Sequence, residues 1–148
     1  MLERLTQALA DADASDAAAT LHDDVTLRVA VHDRPFSGAA AAQAILEVVL
    51  DGPLHDVRPV EHFAAVPAAV TTAVADAGVG VQVQTFTAAV AGYPGRADGL
   101  LFARPAADGR IADLTVFLRP LPALAALAEG VGRRMGGGQA GPALGLTP

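Results

Sequence analysis

Hydrophobic periodicity along this chain changes from a helical repeat near its start to the two-residue repeat of β-strands. Leu2, Leu5 and Leu9 are spaced at i, i+3 and i+7, which predicts the apolar face of a helix. From residue 25 to residue 31, every odd position is Val or Leu, whereas the even positions are mixed in polarity. That alternation is typical of a strand with one buried face. The chain is therefore predicted to combine helices with a half-buried sheet.

Turn signals divide the rest of the chain into further elements. The strongest are Asp51-Gly52-Pro53, Gly92-Tyr93-Pro94-Gly95 and Asp108-Gly109. The predicted elements, in order, are helices over 2–10 and 16–21, a strand over 25–31, a helix over 39–50, strands over 57–66, 70–75, 79–91, 99–104 and 110–119, and a helix over 120–134. Arg96-Ala97-Asp98 is assigned to the turn before the strand that starts at 99, as a solvated ion pair. This order predicts an α+β fold, with helices packed on one face of a curved antiparallel sheet.

Length and composition fit one domain with a sizeable core. The chain has 148 residues, and 52% of them are hydrophobic. We assign the domain to residues 1–134 and predict that the Gly-, Pro- and Ala-rich residues 135–148 form a flexible tail. The first residues begin directly in a helical pattern without a signal-peptide pattern, so we expect a cytoplasmic location. No apolar run reaches the ~20 residues of a membrane span, so no membrane association is expected.

Charge and residue usage argue against several classes of function. The net charge is −6 and there is no basic cluster beyond Arg133-Arg134, whereas nucleic-acid binding requires a positive surface. The chain has no cysteine, and its four histidines lack the paired spacing of metal ligands. We therefore expect no nucleic-acid partner, no metal and no cofactor.

Four stretches resemble proteins of the NTF2-like superfamily, of the SnoaL-like type. They are Leu21-His22-Asp23-Asp24-Val25-Thr26, Pro35-Phe36-Ser37-Gly38, Asp108-Gly109-Arg110-Ile111 and Leu114-Thr115-Val116-Phe117-Leu118-Arg119-Pro120. The resemblance covers roughly residues 2–134 and implies a cone, in which the sheet curls around the helices and encloses a pocket. It also implies a homodimer, since many members associate through the convex face of the sheet.

The resemblance to ketosteroid isomerases implies three catalytic positions in this chain. Those enzymes need a Tyr on the first helix, an Asp base on the first strand and a protonated Asp on a later strand. The corresponding positions here are Leu5, Val29 and Leu101. None of these side chains can exchange a proton, so this acid–base set is absent.

The resemblance to limonene epoxide hydrolases also predicts that the catalytic residues are absent, at a set of positions that shares only Val29 with the first. Those enzymes use two Asp residues, an Arg, a Tyr and an Asn. The Tyr and Asn positions fall on Leu27 and Val29, and the Arg and first Asp positions fall on Phe86 and Ala88. The second Asp position falls on Val116. All five residues are apolar and fit one face of the predicted strands, so the pocket wall is predicted to be apolar.

A few polar residues are candidates for orienting a ligand or for catalysis. His32 stands beside Asp33 at the end of the first strand, where it is either a general base or a surface residue of the rim. His62 is predicted to lie on the surface. Gln82 and Gln84 alternate in phase with Phe86, so they either anchor a ligand from the concave face or point to solvent.

Small and β-branched residues occupy the opposite face of the predicted strands. Thr85, Thr87 and Ala89, with Thr115 and Phe117, are predicted to form a flat convex surface that packs against its copy in a homodimer.

Three functional hypotheses follow. The first is a homodimeric protein that binds a small apolar molecule in the cone without a conventional catalytic set. Its predicted ligand-binding residues are Leu27, Val29, His32, Gln84, Phe86, Ala88 and Val116. The second is an isomerase, cyclase or hydrolase that acts on an apolar substrate through rim residues such as His32, Asp33 or Gln84. The third is an accessory protein that acts through surface contacts, and a pocket filled by its own side chains would favour it.

Overall fold

The computed structural model describes residues 1–65 and 80–136. Its elements are α1 (Leu2–Ala10), α2 (Ala14–Ala19), β1 (Leu21–Arg28), β2 (Phe36–Ser37), α3 (Ala39–Leu50), β3 (Leu54–Ala64), β4 (Gln82–Val90), β5 (Arg96–Pro105), β6 (Ile111–Arg119) and α4 (Leu121–Arg134). The predicted strand over 70–75, the turn after it and the tail from residue 137 lie outside the described residues.

The described strands form one six-stranded sheet in the order β2-β1-β6-β5-β4-β3. Neighbouring strands are antiparallel except β1 and β6, which run parallel. In β3 the pairing with β4 shifts register twice, between His55 and Arg58 and between Pro59 and His62. Such bulges bend a strand and increase its twist, which curves the sheet at this end. The predicted α+β layout with a curved, mainly antiparallel sheet is confirmed.

The core lies between the concave face of the sheet and the helices. In β4 the even-numbered residues Gln84, Phe86, Ala88 and Val90 are buried, whereas the residues between them are half-buried, as the two-residue alternation predicts. Other large residues of the core are Leu2, Leu5 and Leu9 from α1, Ile45 and Leu46 from α3, Leu101 and Leu114 from the sheet, and Leu127 and Val131 from α4.

The second helix and the first strand begin earlier than the sequence predicts. The carboxylate of Asp13, rather than Ser15, caps α2 by accepting a 2.9 Å hydrogen bond from the Asp16 amide. The helix therefore starts at Ala14 and ends before Thr20, whose hydroxyl donates to the Ala17 carbonyl at 2.6 Å. Leu21 is then free to pair with β6 and begin β1.

The prediction that Arg96-Ala97-Asp98 lies in a turn is wrong, because these residues begin β5. Arg96 pairs with Ala89, and Asp98 pairs with Thr87 across the β4–β5 hairpin. The Arg96 guanidinium also donates to Asp56 Oδ2 on β3 at 2.7 Å. These cross-strand contacts extend the ladder toward Gly95.

The last helix follows its predicted bounds, and its leucines are buried to different extents. Leu127 and Val131 are buried, Leu124 is half-buried, and Leu121 is 62% exposed at the first turn. Within the described part of the chain, no helix combines the length and apolarity needed to cross a membrane.

Candidate functional site: an apolar cavity inside the cone

A small cavity of about 50 Å³ lies inside the cone, between the concave face of the sheet and α1, α3 and α4. Thirteen described residues line it, and all are apolar: Leu9, Val29, Ala30, Val31, Leu46, Val49, Leu50, Leu54, Phe86, Leu101, Val116, Leu118 and Leu127. Among these lining residues there is no ionisable side chain and no hydroxyl or amide side chain. The site can therefore exclude water and hold hydrocarbon, but its own walls offer no group for proton transfer.

The structure brings together three of the seven predicted ligand-binding residues. Val29 lines the cavity from the segment that follows β1, Phe86 lines it from β4, and Val116 lines it from β6. Leu27 and Ala88 face the same interior and are fully buried, but they pack in the core outside the cavity wall. The common apolar face that the sequence predicts is therefore present, while the cavity occupies only part of it.

Two of the three positions aligned with the isomerase catalytic set also meet at the cavity. Val29 and Leu101 line it, and Leu5 is buried in the core nearby. The contribution of α1 comes instead from Leu9, one helical turn further along. In the described residues, no group of three or more His, Cys, Asp or Glu side chains is placed to hold a metal ion.

Gln84 points inward and is only 4% exposed. Its amide nitrogen donates to the carbonyls of Glu61 and Thr85, each at 2.9 Å. The Glu61 carbonyl is available because the second bulge of β3 places Val60 and Glu61 opposite the single residue Thr85. This arrangement gives Gln84 a structural role beside the bulge, and its contact with a ligand stays a prediction.

His32 lies at the rim of the cone, next to Val31 of the cavity wall. Its side chain is 25% exposed, and its ring packs on Phe36 with a centroid distance of 5.4 Å. His32 Nδ1 lies 3.1 Å from both the amide nitrogen and the carbonyl oxygen of Arg34, so it accepts from the amide or donates to the carbonyl according to the tautomer of the ring. Asp33 Oδ1 is 3.8 Å from the same Nδ1. His62 is exposed on β3 and lies 3.0 Å from the Gln82 amide oxygen.

Residues from the helices complete the wall, and sequence reasoning did not identify them as site residues. Leu46, Val49 and Leu50 come from α3, and Leu127 comes from α4. Their helical spacing predicts an apolar face, but spacing alone does not tell which part of that face meets a cavity rather than another side chain.

The convex face of the sheet carries a second, open feature, which we call the outer-face patch. It consists of Val60, Thr85, Thr87, Leu100 and Phe117, which line a groove of about 450 Å³. Val60 and Phe117 are 58% and 55% exposed.

Ion pairs border the outer-face patch. Arg96 binds Asp56 at 2.7 Å, and Arg119 binds Asp98 at 2.7 Å. The hydrogen bond from Arg58, followed by that from Arg96, lowers the pKa of the Asp56 carboxyl below its usual value, although desolvation opposes the shift. The border of the patch is thus charged with both signs, whereas the five residues of the patch itself are uncharged.

Known structures resemble this chain over most of its length. A steroid delta-isomerase from Pseudomonas aeruginosa is 29% identical, with a TM-score of 0.73 over 90% of this chain and 88% of that one. An uncharacterised protein with a cystatin-like fold from Silicibacter pomeroyi is 20% identical, with a TM-score of 0.73 over 90% of this chain and 83% of that one.

A further similar structure is SalBIII, an epoxide hydrolase/cyclase-like enzyme of pyran ring formation in the polyether salinomycin. It is 13% identical, with a TM-score of 0.60 over 80% of this chain and 87% of that one. No protein-family model and no curated protein sequence matches the chain. The structural likeness and the cone geometry together show that the chain has the NTF2-like, cystatin-like α+β fold.

Proposed function

We propose that this protein binds a small apolar molecule inside the cone, without the acid–base set of the related isomerases and hydrolases. The observation that carries the proposal is the uniformly apolar lining of the cavity. Burial of apolar surface favours such a ligand by roughly 25 cal/mol per Å². An ionised group would be strongly disfavoured there, because the lining side chains offer it neither a counter-charge nor a hydrogen bond.

The volume of the cavity limits the ligand. Pockets for drug-sized molecules measure about 300–1,000 Å³, and an engineered cavity of about 150 Å³ binds benzene. The cavity here measures about 50 Å³. The proposed ligand is therefore compact, and a larger molecule would have to displace part of the wall.

Removal of the Phe86 side chain tests the binding proposal. Phe86→Ala adds the volume of an aromatic ring to the cavity, so we expect benzene to bind this variant at least about 10-fold more tightly than the wild type. Titration followed by methyl NMR measures the affinity, and native mass spectrometry of the purified wild type reports any apolar molecule already bound. The matched control is Phe102→Ala, because Phe102 pairs with Val83 on the convex side of the sheet. Equal benzene affinity in the Phe86 and Phe102 variants would contradict the assignment of Phe86 to the binding site.

We also propose that two copies associate through the outer-face patch. Apolar residues exposed as a contiguous group mark interaction surfaces, and two sheets pack well when small and β-branched residues face each other. Val60 and Phe117 supply the exposed apolar area, and Thr85 and Thr87 lie between them.

The alternative is an isomerase that acts through the rim, and the 29% identity with a steroid delta-isomerase favours it. His32 is a titratable residue next to Val31 of the cavity wall, and Asp33 could orient its ring. If the alternative holds, the wild type will isomerise a steroid double bond and His32→Gln will lower kcat by about 100-fold or more, the usual contribution of a general base. We expect instead no acceleration by the wild type, measured by the change in ultraviolet absorbance on conjugation. If the wild type isomerises the steroid and His32→Gln does not, the isomerase alternative replaces the binding proposal.

A further inference from the structure

The Phe86 side chain lies across the neighbouring strand at a position that has no side chain. Phe86 on β4 pairs directly with Gly99 on β5. A Cβ atom built on Gly99 would stand 2.1 Å from Phe86 Cζ, and 2.4 and 2.5 Å from its two Cε atoms. Real Cβ atoms essentially never approach another atom within 3.0 Å. The ring therefore occupies the space that a side chain at position 99 would fill.

The placement of this ring affects the cavity directly. Phe86 is the one aromatic residue among the thirteen described lining residues, and Leu118, which pairs with Gly99 from the other side, also lines the cavity. When the ring lies against the sheet, the space between the ring and the helices stays open. A ring that is pushed off Gly99 has to move away from the sheet, toward the helices. That movement would fill a cavity of only about 50 Å³.

We propose that Gly99 is the specificity-determining residue of the interior site. By seating the Phe86 ring against the sheet, it maintains a cavity that accepts compact, uncharged, apolar molecules and excludes fused-ring molecules such as steroids. The exclusion follows because a ligand of that size needs several hundred Å³. This inference rests on the proposed function, since it defines which ligands the same cavity accepts.

Xenon is a suitable probe, because it is apolar, compact and free of hydrogen-bonding groups. We expect the wild type to give a saturable xenon-dependent shift in ¹²⁹Xe NMR, and Gly99→Ala to weaken xenon binding at least about 10-fold. The matched control is Gly95→Ala in the turn before β5, where the atoms nearest to an added Cβ belong to the Tyr93 side chain, at 3.2 Å or more. Unchanged xenon binding in folded Gly99→Ala would overturn the inference, and so would equal losses in the Gly95 and Gly99 variants.

A second variant keeps the test decisive if Gly99→Ala does not fold. Leu has no atom at the place of the ring tip, so Phe86→Leu should relieve the contact with a Cβ at position 99. We expect the double variant Gly99→Ala/Phe86→Leu to fold and to bind xenon as well as Phe86→Leu does. Failure of the double variant to fold would overturn the inference, because glycine would then be required at this position for a reason unrelated to the ring.

A separate readout distinguishes failure of this inference from failure of the proposed function. Displacement of the Phe86 ring changes the ring-current shifts of the methyl groups of Val116 and Leu118, whether or not a ligand binds. If the wild type binds no xenon but Gly99→Ala moves these methyl signals, the binding proposal fails and the role of Gly99 in seating the ring stands. Unmoved methyl signals in folded Gly99→Ala would overturn the inference by themselves.

Discussion

Replacement of Phe117 by Arg is expected to convert a dimer of this protein into monomers, with a dissociation constant raised at least about 100-fold. Phe117 is 55% exposed and supplies apolar area to the outer-face patch from β6. In a two-fold dimer each substitution acts twice, since the same patch is present on both copies. An Arg there would lose the apolar contact of the ring and would bury a charge, and either effect in a desolvated interface costs about 2 kcal/mol or more. Sedimentation velocity over a range of concentrations measures the change.

Leu121 offers a matched control for this experiment. It is 62% exposed, but it lies at the start of α4 and does not line the outer groove. Leu121→Arg should therefore leave the dissociation constant unchanged. A monomeric wild type, or equal effects of the Phe117 and Leu121 substitutions, would contradict association through this patch. The ion pairs at the border of the patch are exposed, so they are expected to contribute little to the stability of the dimer compared with the apolar residues of the patch.

The second large effect is expected from an acid placed in the cavity wall. Leu101 is 1% exposed and occupies the position that the resemblance assigns to an oxyanion-donating Asp. Leu101→Asp removes apolar contacts and buries a carboxyl among hydrocarbon side chains, and we expect the free energy of unfolding to fall by about 5 kcal/mol or more at pH 7. A loss of that size is comparable with the whole stability of many domains.

The pH dependence of this variant distinguishes a dry wall from a hydrated one. Burial raises the folded-state pKa of the introduced carboxyl above its unfolded value of about 3.9. Relative to the wild type, the free energy of unfolding should then decrease by about 1.4 kcal/mol for each unit that the pH rises between the unfolded and the folded pKa. It should recover as the pH is lowered toward 4. Urea unfolding at several pH values measures this, with Leu101→Asn as the control that does not titrate. A pH-independent difference between the two variants would show that water reaches position 101.

Much of the fold could be predicted from the sequence, because local periodicity determines which residues share a face. The alternation in β4 predicted that Phe86 and Ala88 point into the core, and both are buried. The resemblance, in agreement with this alternation, predicted an apolar wall that includes Val29 and Val116, and both residues line the cavity. A one-residue error in register would have reversed these faces, so the agreement between pattern and resemblance was informative.

Contacts between strands that are distant in sequence could not be predicted in the same way. Arg96 was assigned to a turn because of the Gly and Pro residues before it, whereas its partner Asp56 lies 40 residues away. The Arg28–Asp113 ion pair joins residues 85 positions apart. Such pairs form only when the sheet has assembled, and the periodicity within a single segment does not predict them.

The sequence by itself determined the α+β class and the buried faces of β1, β4 and β6, since each of these depends on residue type and local spacing. Through the resemblance, it also predicted apolar residues at the positions aligned with the acid–base sets. The tertiary structure alone decided the size of the cavity and the use of Gly99. A glycine in a strand has no pattern of its own, and its effect here depends on the Phe86 ring that the neighbouring strand lays across it. Cavity volume likewise follows from how side chains of different elements interdigitate, which is a property of packing rather than of sequence spacing.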